Sequence, residues 1–370
     1  MRQRLLSQRF AGLSSRSRQG QLSDSQREMV EAFQDRLETG KYRLVDERCP
    51  CGADDDVLIA EIDRYGLPLA SVVCAECGAV RTNPYLDDAS LDAFYREIYQ
   101  AMYARAPQLD AYFANQFTYG ARIAALYEHE RRTPERILEV GCGAGGGLAA
   151  FQDRGHFVAG CDLSRDLVSF GTEKGLRRLW HGSIEDMPSE LQSERWNVIF
   201  LHHVFEHVQS PTRTLRSLSD LLAPDGCILT IVPDILRVDR FPNPAGDALK
   251  FFHVAHKFNY TAECLEIIAS QAGLTAAARV PPGHLKTAWS EMPELWMEFR
   301  RSGVASPPPY ARTSCGEGVV SYLLETERRF LAGDFQKTFE SRNRRERPPE
   351  SKPRRLRRLW KWVAGHSSAR

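Results

Sequence analysis

Residues 136–147 read Arg-Ile-Leu-Glu-Val-Gly-Cys-Gly-Ala-Gly-Gly-Gly, an apolar strand that breaks into glycines with an acid two residues before the first. A backbone stripped of side chains can press against a ligand, and the helix that follows offers free amides and the positive end of its dipole. The run predicts an α/β domain in which strand, tight turn and helix together build a cofactor site. Gly141, Gly143 and Gly146 also satisfy the Gly-x-Gly-x-x-Gly pattern that cradles a pyrophosphate. The turn alone therefore leaves two cofactor classes open.

The segments downstream narrow the choice. Ala159-Gly160-Cys161-Asp162 ends a second apolar stretch with an acid placed to accept hydrogen bonds from ribose hydroxyls. Then come 182–188 (Gly-Ser-Ile-Glu-Asp-Met-Pro), the apolar strand 196–201, a run containing His202, His203, Glu206 and His207, and the strand 227–233 after Pro224-Asp225-Gly226. This order over roughly 133–280 resembles the class I S-adenosylmethionine-dependent methyltransferases. The resemblance implies a Rossmann-like, doubly wound sheet. It also implies that Glu139, Gly141, Gly143 and Gly145 form the first cofactor motif, that Asp162 holds the ribose and that Ile184 and Glu185 flank the adenine. Ser183 stands where the family often has Asp, which passes the adenine amine contact to Glu185 or Asp186. Cys142 and Cys161 read as small buried apolar residues.

Upstream, Cys49-Pro50-Cys51-Gly52 is followed by Cys74-Ala75-Glu76-Cys77-Gly78. Two close pairs of thiolates, Cys49, Cys51, Cys74 and Cys77, match a tetrahedral structural zinc site, although the first pair is one residue shorter than the usual spacing. Disulfides are disfavoured, because the nine cysteines are odd in number and no apolar secretory segment is present. Residues 57–73 read as two strands around a Gly-Pro turn, too short to build a core alone, so a bound metal is expected to supply much of the folding free energy. Paired cysteines, Asn83-Pro84 and an aromatic helix over 91–99 resemble a subfamily linked to sugar and cell-surface glycan biosynthesis. That group includes the sugar C-methyltransferases with an N-terminal zinc-binding domain. Those enzymes have a Glu-His pair near the acceptor; here His256 matches the histidine and Ala255 stands in place of the glutamate.

His256 is thus the first candidate base and His203 the second, each with an ordinary pKa suited to proton transfer near neutrality. The run His202, His203, His207 does not by itself read as a metal site, since no fourth ligand is spaced to complete one. The Glu206-His207 pair reads as structural.

The near-neutral formal charge of +1 conceals basic ends. Five arginines and no acid lie in the first twenty residues, and residues 342–370 carry eleven lysines and arginines against two acids. Trp360 and Trp362 among the tail arginines suit an interfacial helix that associates with an anionic membrane; a solvated tail is the alternative. The expected organisation is a loose arm over 1–40, a zinc-binding module over 41–85 and a helical linker over 86–132. The cofactor domain follows over 133–280, with its last strand near 274–280. A mostly helical region over 281–341 packs over the acceptor cleft, and a basic tail spans 342–370. No run of apolar residues is long enough to cross a membrane, and a cytoplasmic enzyme is expected, peripheral at most to the inner face. The implied activity is methyl transfer from S-adenosylmethionine to a small-molecule or carbohydrate-linked acceptor. The rival is a zinc-containing RNA-binding protein or RNA methyltransferase, disfavoured because Asp54-Asp55-Asp56 would repel phosphate.

Overall fold

The apolar runs on either side of the glycine turn become neighbouring strands of one sheet. A computed structural model describes residues 2–103, 108–128, 135–240, 245–279, 293–303 and 315–335. Seven strands form the sheet: β1 Arg136–Val140, β2 Phe157–Asp162, β3 Leu179–His181, β4 Trp196–His202, β5 Leu222–Pro233, β6 Leu274–Arg279 and β7 Glu294–Arg301. Their order across the sheet is β3-β2-β1-β4-β5-β7-β6, parallel except for β7, which runs antiparallel to both of its neighbours. Strands covered on both faces need near-continuous apolar sequence, and Val198, Ile199, Phe200 and Leu201 of β4 are fully buried. This is the expected Rossmann-like arrangement.

β7 corrects the expectation that 274–280 is the last strand and that 281–341 is mostly helical. It inserts between β5 and β6 with Trp296, Met297 and Phe299 buried. Helix Gly316–Leu331 does not cover the cleft either. Val319, Val320 and Leu323 pack with Val57, Ile59 and Val73 of a second sheet.

That second sheet has the order Arg2–Gln3, Asp56–Ala60, Ser71–Cys74, Val80–Thr82, Phe258–Asn259. The anticipated pair of strands is there, but the unit does not stand alone over 41–85. It borrows Phe258–Asn259 from the far side of the cofactor domain, paired with Arg81 and Val80. Lys257 Nζ donates to Glu47 at 2.7 Å across the same junction. Within the sheet the buried Arg81 guanidinium donates to both oxygens of Asp56, each at 2.7 Å.

Nor are residues 1–40 a loose arm. Arg2 and Gln3 pair parallel with Val57 and Leu58, and Phe10 is fully buried. Arg9 lies 2.7 Å from both Glu327 and Asp247. Helix Asp24–Glu38 starts at a reciprocal Ser23–Gln26 cap and buries Val30 and Phe33 against Tyr42 and Phe94. Three of the five N-terminal arginines make ion pairs, Arg2 with Asp55, Arg4 with Glu317 and Arg9 with Glu327 and Asp247. The basic tail, Pro281-Pro282-Gly283 and Pro307-Pro308-Pro309 lie outside the described residues.

Candidate active site

The glycine turn sits at the carboxyl edge of the parallel strands, where open α/β sheets bind ligands. α1, Leu109–Glu128, crosses α2, Gly146–Gln152, directly over it. The crossing is close: a Cβ on Gly120 would lie 2.3 Å from the Gly147 carbonyl oxygen. Gly141, Gly143 and Gly145 all adopt positive φ, and at Gly143 a Cβ would also meet Tyr112 and Gln116 at 2.5 Å.

Asp162, at the end of β2, holds this turn from below. Its Oδ2 accepts from Gly143 N and its Oδ1 from Ser164 N, both at 2.8 Å. Burial raises its pKa, and the two amides oppose that shift. Glu139 is fully buried and accepts from Tyr119 Oη at 2.5 Å. Burial pushes its pKa well up, with the Asp162 charge adding to the effect. Ile184 is half-buried and Glu185 exposed on the turn after β3. Asp186 is committed locally, because its Oδ2 accepts from both Ser183 N and Ser183 Oγ at 2.8 Å. Cys142 and Cys161 are buried, as their apolar reading requires.

Sequence reasoning missed Gln116. Its Oε1 accepts from Ala144 N and Gly146 N at 3.1 and 3.3 Å, while its Nε2 donates to Cys142 O at 2.9 Å, so one side chain clamps the turn from above. The available signal is the spacing of Tyr112, Gln116 and Tyr119, which places three polar groups on one face of α1.

A second group of side chains lies at the ends of β4 and β7. His203, the residue just after β4, has a φ of 54°, a strained value for a non-glycine residue and one that is concentrated at functional sites. Glu294, missed entirely, reaches the carboxyl edge because β7 is antiparallel and begins there, opposite Pro233. His203 Nε2 lies 3.1 Å from Glu294 Oε1, and Trp296 Nε1 donates to Glu294 Oε2 at 3.1 Å. Burial opposes charge on both His203 and Glu294, but their mutual hydrogen bond and attraction win, raising the histidine and lowering the acid. His202 stacks on Tyr119 with ring centroids 3.9 Å apart, and burial lowers its pKa to about 4.

His256 comes from the loop before Phe258–Asn259. Its ring lies 3.7 Å from that of His253 and 4.8 Å from that of His207, and its Nε2 is 4.0 Å from Glu206 Oε1. Burial, followed by the charge of His207, lowers its pKa well below the usual histidine value. The two candidate bases thus share Glu206 as a neighbour, since His203 Nδ1 is 3.6 Å from the same oxygen.

The four cysteines also converge. Cys49 Sγ is 3.4 Å from Cys77 Sγ and Cys51 Sγ is 3.6 Å from Cys74 Sγ, and all four sulfurs lie within 4.8 Å of one another. These separations exceed a disulfide bond and approach the roughly 3.8 Å between thiolates that each lie about 2.3 Å from a tetrahedral zinc. The residues fit that ion. Thr261 Oγ1 donates to Cys77 O at 3.4 Å, linking the cluster to the helix after the His256 loop.

Residues 112–278, from α1 to within β6, match the family described as Methyltransferase domain. Over these residues the chain carries a methyltransferase domain. The C-methyltransferase NovU of Streptomyces niveus is 23% identical over 244 residues, covering 57% of this chain and 53% of its own length. A ubiquinone biosynthesis O-methyltransferase of Nitrosospira multiformis is 27% identical over 115 residues, covering 29% of this chain and 46% of its own length. The chain therefore spans about half the length of these curated relatives. The crystal structure of the plantazolicin methyltransferase BpumL with SAH is 13% identical and covers 57% of this chain and 93% of its own, with a TM-score of 0.43. Within the matched residues, Phe258–Asn259 pairs with the cysteine-bearing sheet and not with the seven-stranded one. No helix among the described residues is long and apolar enough to cross a membrane.

Proposed function

We propose that the chain binds S-adenosylmethionine at the glycine turn and transfers its methyl group to a small-molecule or carbohydrate-linked acceptor facing His203 and His256. The observation that carries the reading is the tie between Asp162 and Gly143 at the junction of β1 and β2 in a methyltransferase domain. Each Asp162 oxygen accepts one amide and retains a lone pair, enough to receive two ribose hydroxyls. Glu139 and Gln116 hold the turn rigid at the methionine end, and Ile184 and Glu185 border the adenine. The cofactor supplies an already activated sulfonium methyl. The protein's part is therefore largely to align acceptor and methyl in line, with a base for a hydroxyl or carbon acid. The similarity to a C-methyltransferase supports a carbon acid among the acceptors. The four thiolates are read as a structural zinc site, and the basic tail as an anionic-membrane contact.

Incubation with methyl-labelled cofactor and a panel of nucleotide sugars, then cell extracts, tests this reading. A labelled product is expected, with His256→Ala lowering turnover by about 10²–10⁴-fold at little change in cofactor affinity. Absence of transfer to any acceptor, or normal turnover in the variant, contradicts it.

A further inference from the structure

We propose that Glu206, His207 and His256 hold a divalent transition-metal ion beside the acceptor, a site separate from the cysteine cluster. One ligand atom from each of the three lies within 4.8 Å of the others. Glu206 is 1% exposed, yet neither carboxylate oxygen has a hydrogen-bond partner among the described residues. A buried carboxylate without hydrogen bonds is costly unless a cation completes it. His256 Nε2, 4.0 Å from Glu206 Oε1, stands too far for a hydrogen bond but close enough for an ion between the two. Ligands about 2.0–2.2 Å from a metal stand about 3.4 Å apart at tetrahedral angles and about 4.2 Å apart when opposed. Drawing atoms that lie up to 4.8 Å apart to these separations takes shifts of up to about 1 Å.

The flanking contacts orient these ligands. His207 Nδ1 lies 2.7 Å from the Ala255 carbonyl oxygen, which can only accept, so the ring carries its proton there and keeps a lone pair on Nε2. His256 Nδ1 is buried and has no hydrogen-bond partner among the described residues. The neighbouring set His202, His203 and Glu294 makes the contrast. Glu294 is already served by His203, by the Trp296 indole and by Arg122 at 3.7 Å, and needs no further cation. Two imidazoles and one carboxylate suit zinc, iron, cobalt or manganese rather than calcium, and three protein ligands leave positions open for acceptor oxygens. An ion there makes His256 a ligand and lowers the pKa of a bound acceptor hydroxyl. The location beside the acceptor rests on the proposed function; the metal count does not.

The full chain, with the cysteine cluster loaded with zinc, is dialysed separately against Zn²⁺, Mn²⁺ and Co²⁺ and its metal content measured. One equivalent beyond that of the cysteines is expected with at least one ion. Bound Co²⁺ should show ligand-field bands without thiolate charge transfer. Glu206→Gln and His256→Gln should each weaken the extra equivalent at least 10-fold, while Glu294→Gln retains it. S-adenosylhomocysteine calorimetry on the same samples reports whether the fold and the cofactor reading stand independently. No extra equivalent with any of the three ions overturns the proposal, as does one that survives Glu206→Gln or disappears only in Glu294→Gln.

Discussion

Single residues in the cleft acquire their chemistry from burial. His202 lies against Tyr119 with its pKa lowered from 6.5 to about 4, so the folded state favours the neutral ring. Between these values the unfolded chain binds more protons than the folded one. The contribution of His202 to stability is complete above about pH 6.5 and is lost as pH falls towards 4. A His202→Phe variant keeps the stack and removes the titration. Its melting profile should therefore be flatter than that of the natural protein in this window, by up to about 1.4 kcal/mol per pH unit. Parallel profiles would show that the ring titrates normally. The place of Asp162 beside the glycine turn was legible in the sequence because the acid ends the apolar stretch that follows the turn. Gln116 and Glu294 were not, because the first acts only where α1 crosses the turn and the second only because β7 runs backwards to the ligand edge.

At the scale of elements, the crossing of α1 over α2 sets the shape of the turn. Gly120 rests on the Gly147 backbone, so Gly120→Val must push the helices apart and carry Gln116 away from Ala144 and Gly146. Overpacking of this kind costs about 1–3 kcal/mol or more. Gly318→Ala is the control, since it adds a methyl in helix Gly316–Leu331 with nothing within 4 Å and should leave Tm unchanged or slightly higher. Equal Tm values for Gly120→Val and the natural protein would contradict the crossing. β1, β2, β4 and β5 could be read from their apolar runs, whereas the three-residue β3 could not. β7 could not, because Glu298 and Arg300 interrupt its apolar run; in the fold Glu298 accepts from Tyr127 Oη at 3.1 Å and from Arg300 Nε at 2.6 Å.

For the whole molecule, the cysteine-bearing sheet and the methyltransferase domain share strands and cores, which local sequence patterns could not reveal. Arg2–Gln3 and helix Gly316–Leu331 close on the strands between the cysteine pairs, and Phe258–Asn259 on the strand Val80–Thr82 just after the second pair. About one zinc per chain is expected at the four thiolates. Cys74→Ser should lose it and speed hydrogen exchange over residues 71–82 and, through Thr261 and Phe258–Asn259, in the His256 loop. Unchanged exchange in a zinc-free variant would separate the cluster from the fold. The central claim, that the turn between β1 and Asp162 is a cofactor site, is tested most directly by calorimetric titration of S-adenosylhomocysteine into the purified chain and its Asp162→Ala variant. One ligand per chain is predicted, with the variant weaker by about 1.5–3 kcal/mol, roughly 10- to 150-fold. No binding to the natural protein, or equal affinity in the variant, would contradict the account.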